Sequence, residues 1–250
     1  MKLLAGFYDN IAFSLQVRRK DDRALHYYKK AHESGCANPR FYASYAGLLL
    51  RMGEYLRAYE VISEGIATVT LKPKAKMMIK SMASQYVISL WKLGRLDEAI
   101  AEMERVHEEM PTGNSFGTLG YFYIERADKT GDYEQALAFN REAVDYDDHD
   151  SVILDNIGQV LYRLGKLTEA EQMFTRALEE KETQLDSLYY MAKVQHELNH
   201  PDKARFYIKK AMAQNRSNMA TVSQAMVEEF ALLLNVDLDN DESDDETGGS

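Results

Sequence analysis

Apolar residues recur along this chain on the beat of one helix face. Tyr8, Ile11, Ala12 and Leu15 are spaced three and four apart, the stripe that a surface helix turns towards a core. The stripes themselves repeat. Gly158, Ala170, Phe174 and Ala177 return as Ala192, Ala204, Ile208 and Ala211, each 34 residues later. Leu154 and Leu164 return as Leu188 and Leu198. A fixed period of this length marks stacked helical hairpins. If Ala170 is position 20 of one unit, position 20 is alanine six times: Ala24, Ala58, Ala99, Ala136, Ala170 and Ala204. Position 8 is mostly small (Ala12, Ala46, Val87, Gly120, Gly158, Ala192), as is position 27 (Ala31, Gly65, Val106, Ala143, Ala177, Ala211). Two helices meet most closely where their side chains are smallest, so these positions predict the seam of each hairpin. Position 24 is larger, with Tyr28, Ile62, Met103, Phe174 and Ile208, and Asn140 is its one polar member.

Glycine follows the first helix of four hairpins, at Gly53, Gly94, Gly131 and Gly165, as a left-handed C′ residue does. Asn199 is an accepted substitute there, and Arg19 departs from the rule. The period is not uniform. Ala58 to Ala99 spans 41 residues, and the seven added residues predict a third first-helix running from about Lys74 to Lys92. Ala99 to Ala136 spans 37, which predicts an extra turn before Gly131. With four prolines and no alternating runs, the fold class is all-α.

These residues, and Pro111 after the third hairpin, resemble the tetratricopeptide repeat (TPR) family from about residue 5 to 218. The resemblance implies a right-handed α-solenoid of antiparallel helix pairs, A and B. Its units fall at about 5–38, 39–72, 73–112, 113–150, 151–184 and 185–218, with a capping helix at 219–235 carrying Val222, Ala225, Met226 and Leu233 on its apolar face. It also implies a concave groove lined by the A helices, where an amide at position 6 holds a partner's backbone. An amide both donates and accepts, so it can pair with any peptide group. Position 6 reads Asn10, Ser44, Gln85, Thr118, Asn156 and Tyr190. The groove expected from the resemblance comprises Asn10, Phe13, Gln85, Trp91, Tyr121, Asn156, Tyr162, Arg163, Tyr189 and Lys193, with aromatic anchors as the main source of affinity. The lysine and asparagine set of the family's carboxylate clamps is not matched, since Asp155 and Gln159 stand at two of its places and Asp186 at a third.

Charge sharpens the picture of the partner. The net charge of −10 argues against nucleic acid. Seven acids and no base lie in 236–250, a segment too poor in apolar residues to fold, and read as a disordered acidic tail. The lone Cys36 excludes a disulfide framework and points to a reducing compartment, hence the cytoplasm. No run of 18 apolar residues is present to span a bilayer.

Two strings invite chemistry. His196-Glu197-Leu198-Asn199-His200 spells the zinc-protease motif, which needs both histidines one turn apart on one helix. The repeat register puts a helix end between them. The tail's Asp237, Asp239 and Asp241 begin like a calcium loop, but Glu242 and Gly248 stand where glycine and the closing glutamate belong. A basic cluster, Lys72, Lys74, Lys76 and Lys80, lies beside Met77, Met78 and Met82 and offers a site for an acidic segment or a solvated helix start. The expectation is therefore a non-enzymatic scaffold or adaptor, without cofactor or metal, that binds a protein or peptide. Its alternative is a self-assembly module forming a homo-oligomer.

Overall fold

The computed structural model describes residues 2–70, 79–80, 82–214 and 221–236. Every regular element among them is an α-helix. The chain forms two compact units, Met1–Ser115 and Phe116–Ser250.

In the first unit α1 (Lys2–Val17) packs on α2 (Asp21–Glu33), α3 (Pro39–Arg51) on α4 (Tyr55–Thr70), and α5 (Ala83–Lys92) on α6 (Leu96–Glu109). The second unit holds most of α7 (Gly113–Thr130), then α8 (Glu134–Tyr146), the pair α9 (Ser151–Arg163) and α10 (Leu167–Glu180), the pair α11 (Leu185–Glu197) and α12 (Pro201–Met212), and α13 (Gln224–Leu233) against α12. Within each unit, pairs also pack on their neighbours: α2 on α3, α4 on α5, α8 on α9, and α10 on α11.

The seams fall where the small residues predict. All six position-20 alanines are buried, and so are the larger residues at position 24. Glycine is needed where the partner is bulky. A Cβ on Gly65 would lie 2.5 Å from the Tyr42 ring, and one on Gly158 would lie 2.7 Å from that of Phe174. Asn140 solves the same problem with hydrogen bonds. Its buried Nδ2 donates to the Gly120 carbonyl at 3.2 Å and the Ala136 carbonyl at 2.9 Å.

Helix ends follow one device. Arg19, Gly53, Gly94, Gly165, Asn199 and Asn235 all adopt positive φ, between 55° and 79°. The next amide then reaches back five residues, as in Lys20 N to Leu15 O at 3.0 Å, Lys166 N to Leu161 O at 2.9 Å and His200 N to Gln195 O at 2.8 Å. Arg19 thus takes the glycine conformation at φ 55° while carrying a Cβ. Left-handed backbone costs an ordinary residue about 1–2 kcal/mol. Arg19→Gly is therefore expected to stabilise the chain by about 1 kcal/mol, read as a higher urea midpoint at unchanged slope. An unchanged or lower midpoint would show that the turn bears no such strain.

Three expectations change. The third A helix expected from Lys74 to Lys92 is interrupted, with Ile79 and Lys80 helical, Met82 in a turn with its amide bonded to Ile79 O at 2.9 Å, and α5 beginning at Ala83, while 71–78 and 81 lie outside the described residues. In α13 the buried face is Val227, Phe230 and Ala231, while Leu233 is exposed and Ala225 points outward. Ser223 is the N-cap, accepting from Met226 N at 3.2 Å, so Val222 precedes the helix and does not share its stripe. The cluster Lys72–Lys76 and the acidic tail from Asp237 onward lie outside the described residues.

Candidate partner-binding faces

Four of the ten candidate residues belong to the first unit. On α1, Asn10 is exposed and its Oδ1 accepts from Arg40 Nη2 at 2.8 Å. The same guanidinium pairs with buried Asp9 at 2.6 Å and lies 5.4 Å from the centre of the Phe13 ring. Asn10, Phe13 and Arg40 therefore form one polar-aromatic patch across α1 and α3. Gln85 lies partly buried on α5, its Oε1 without a hydrogen bond among the described residues. Trp91 is buried, with the Lys92 ammonium 3.7 Å from its ring centre.

The other six belong to the second unit. Tyr121 is half-buried on α7, and burial raises its hydroxyl pKa. Asn156, expected in the groove, is instead buried, donating its Nδ2 to Gly117 O at 2.7 Å. Gly117 lets α9 come close: a Cβ there would meet Val152 Cγ1 at 2.9 Å. The position-6 amide thus ties two A helices together.

Tyr162, Arg163, Tyr189 and Lys193 are brought together by α9 and α11. Arg163 holds Asp128 through Nε at 2.7 Å and Nη2 at 3.0 Å, and its Nη2 also donates to the Tyr190 hydroxyl at 3.0 Å. Lys193 Nζ lies 5.2 Å from the Tyr162 ring centre and 5.8 Å from that of Tyr189. The Tyr162 hydroxyl donates to Glu197. Tyr190 joins this face to the core, stacked on buried Phe174 at 6.0 Å and 9°.

Beneath the face lies Asp155, buried on α9. Its Oδ2 accepts from Gln159 at 2.8 Å and its Oδ1 from Ser187 at 2.6 Å. Burial, then the neighbouring charge of Asp186, pushes its pKa from 3.8 up to about 7. Asp186 accepts from Thr221 N at 3.1 Å and Val222 N at 2.8 Å, fastening the approach to α13.

Asp128, Tyr190 and Glu197 fall outside the expected groove. Asp128 lies on the added turn of α7, where repeat numbering has no position for it. Tyr190 stands at position 6 itself, an aromatic where the amide pattern directs attention elsewhere. His196 lies in the last turn of α11 while His200 is the N-cap of α12, with Asn199 at φ 61° between them. The two imidazoles sit on different elements, His196 edge-on to Phe230 at 5.8 Å and His200 bonded to Gln195 at 3.0 Å. No group of three or more His, Cys, Asp or Glu suited to a metal ion occurs among the described residues. No described helix is long and apolar enough to cross a membrane.

Antiparallel helix pairs of this kind define the helical-repeat class. Residues 161–226 match the family model for the tetratricopeptide repeat. The chain is similar to a thermophilic TPR protein of Thermus thermophilus, at 17% identity and TM-score 0.65 over 79% of this chain and 100% of that one. It is also similar to a TPR protein of Parabacteroides merdae, at 13% identity and TM-score 0.55 over 93% and 99%. A third likeness is to a chain of the APC/C hetero-tetramer Cut9–Hcn1, at 12% identity and TM-score 0.67 over 92% and 42%. No curated protein matches the sequence. Residues 161–226 thus carry the tetratricopeptide-repeat match, and the fold of the described residues is that of tetratricopeptide-repeat proteins. Proteins of this family are in general non-catalytic scaffolds that bind protein partners.

Proposed function

We propose that the chain is a non-catalytic adaptor that receives an extended segment of a partner protein on its A-helix faces. The observation that carries this reading is the Tyr162–Arg163–Tyr189–Lys193 patch. It combines the partly exposed ring of Tyr162, backed by buried Tyr189, with the charged groups of Arg163 and Lys193, a composition of the kind found at interface hot spots. The patch of Asn10, Phe13 and Arg40 in the first unit is a second contact of the same character.

A photo-crosslinking residue at position 162 is expected to trap a partner in extract from the native host. The same residue in place of exposed Phe206 on α12 is not. Tyr162→Ala should weaken the purified complex about tenfold or more while the helical melt is retained, with Tyr189 left in place because it is buried in the core. Equal trapping at both positions would remove the A-helix face from consideration.

Self-assembly is the second reading, favoured by α1. Leu3, Phe7 and Val17 share one side of this helix, opposite buried Ala5 and Ala12, and are 93%, 58% and 67% exposed. Light scattering across roughly a hundredfold range of concentration separates the two readings. A dimer abolished by Phe7→Glu supports self-assembly, and a monomer throughout rejects it.

A further inference from the structure

Successive B helices face one another across a fixed set of positions. In the first unit Tyr59, Ser63, Ile66 and Ala67 of α4 line a cavity with Glu102 and Arg105 of α6. Counted from the position-20 alanines, the same places on α12 are Arg205, Lys209, Met212 and Ala213. On α10 they are Glu171, Thr175, Leu178 and Glu179, so the basic character belongs to the last hairpin. No further helix B is described beyond α12. Lys209 is exposed and, among the described residues, forms no ion pair. One turn away on its own helix stand Arg205, Phe206, Met212 and Ala213, none of them acidic. Arg205 pairs at 2.7 Å with Asp202, which is itself almost fully exposed.

The chain leaves α13 by the turn that leads into α2, α4, α6, α10 and α12. Asn235 has φ 55°, and buried Val236 donates its amide to Ala231 O at 2.9 Å, as His200 does to Gln195 O before α12. The course set at Val236 is therefore that of another helix B, antiparallel to α13 and alongside α12. The sequence sent along it reads Asp237, Asp239, Asp241 and Glu242 in its first six residues, with seven acids and no base over 236–250.

We propose that the segment from Asp237 to Asp241 docks on this flank of its own chain, its carboxylates on Arg205 and Lys209, where a seventh helix B would lie. In an extended chain alternate side chains share one side about 6.6 Å apart. Residues four apart on a helix stand about 5–6 Å apart, so Asp239 and Asp241 match the step from Arg205 to Lys209. One exposed ion pair adds little, whereas cations one turn apart opposite a row of carboxylates form a network. The tether settles which copy supplies the acids, since a short linker holds them at an effective concentration on the order of millimolar. The docking is independent of the A-helix faces, because Arg205 and Lys209 lie on a helix B.

Zero-length cross-linking tests this on the whole chain. A carbodiimide joins a carboxylate to a lysine amine where the two touch, and an equal mixture of light and heavy-isotope chains tells links within one chain from links between two. The expected product is an amide from Asp237, Asp239 or Asp241 to Lys209 within one chain. It should be about fivefold or more above links to Lys203 and Lys210, exposed lysines of the same helix that lie off this flank. The yield should fall about fivefold or more when salt is raised from roughly 0.02 to 0.5 M. Arg205→Gln leaves the lysine in place and should lower the yield about threefold.

Equal yields at the three lysines, or a yield indifferent to salt, would reveal unselective contact by a charged tether and overturn the proposal. Links to Lys72, Lys74, Lys76 or Lys80 in place of Lys209 would overturn it as well. Links found only between light and heavy chains would put the segment on a second copy, and no link at all would leave the flank bare; either result defeats the docking.

Discussion

Gly158→Ala is expected to destabilise the chain by about 1–2 kcal/mol, although alanine is the better helix former. The propensity gain is at most about 1 kcal/mol in a helix interior. Against it stands a new Cβ at 2.7 Å from Phe174 Cε1 and 2.9 Å from Cδ1, well inside contact distance. Overpacking of this kind costs about 1–3 kcal/mol. Phe174 has little room to yield, since it is fully buried and stacked flat on Tyr190. The displacement should therefore travel to Tyr190 and to the Arg163 hydrogen bond on the A-helix face. Urea unfolding of Gly158→Ala, Phe174→Leu and the double variant measures the coupling. Leucine in place of the ring should recover much of the loss caused by Gly158→Ala. A single variant as stable as wild type would mean that the seam can open at no cost.

The second large effect is a loss of stability with rising pH, traced to Asp155. Its folded pKa of about 7 lies above the ordinary 3.8, so between those values the folded chain keeps a proton that the unfolded chain has released. Stability then falls as pH rises through this window, by up to about 1.4 kcal/mol per unit. The contribution is whole below about 3.8 and has gone once pH passes about 7. Asp155→Asn lacks it. The variant should gain on wild type by on the order of a few kcal/mol as pH rises from acid to neutral. Other carboxylates titrate over part of the same range, so the informative quantity is the difference between the two proteins at each pH. A difference independent of pH would mean that Ser187, Gln159 and Arg163 keep Asp155 ionised in the fold.

The helix pairing was legible because its requirements are local. A seam admits only small side chains, and Ala24, Ala58, Ala99, Ala136, Ala170 and Ala204 record that limit in sequence whatever surrounds them. Helix ends were nearly as plain, and Arg19 shows why a composition rule misses some: the packing of α1 on α2 imposes the left-handed turn even on a residue that resists it. The faces were harder to read. Asn156 carries the right group for a partner, but whether its amide meets a peptide or Gly117 depends on how near α7 comes, which no single repeat reports. Asp128 reaches Arg163 only because α7 runs a turn longer than its relatives. The environment of Lys193 is set by rings from two helices and becomes visible only when α9 and α11 are placed side by side. Asp155 is spaced like a surface charge in the sequence, and only the packing of α11 on α9 withdraws it from water.

Near-identical modules in a row carry a hazard of misregistration, in which a hairpin clasps the wrong neighbour while the chain is still assembling. The buried side-chain amide of Asn140 guards one joint. It fits against the bare backbone of Gly120, whereas the equivalent spot one module further on is filled by the ring of Phe174. A shifted pairing would strand an amide against hydrocarbon, so one polar residue among five apolar counterparts labels this junction and distinguishes it from the rest.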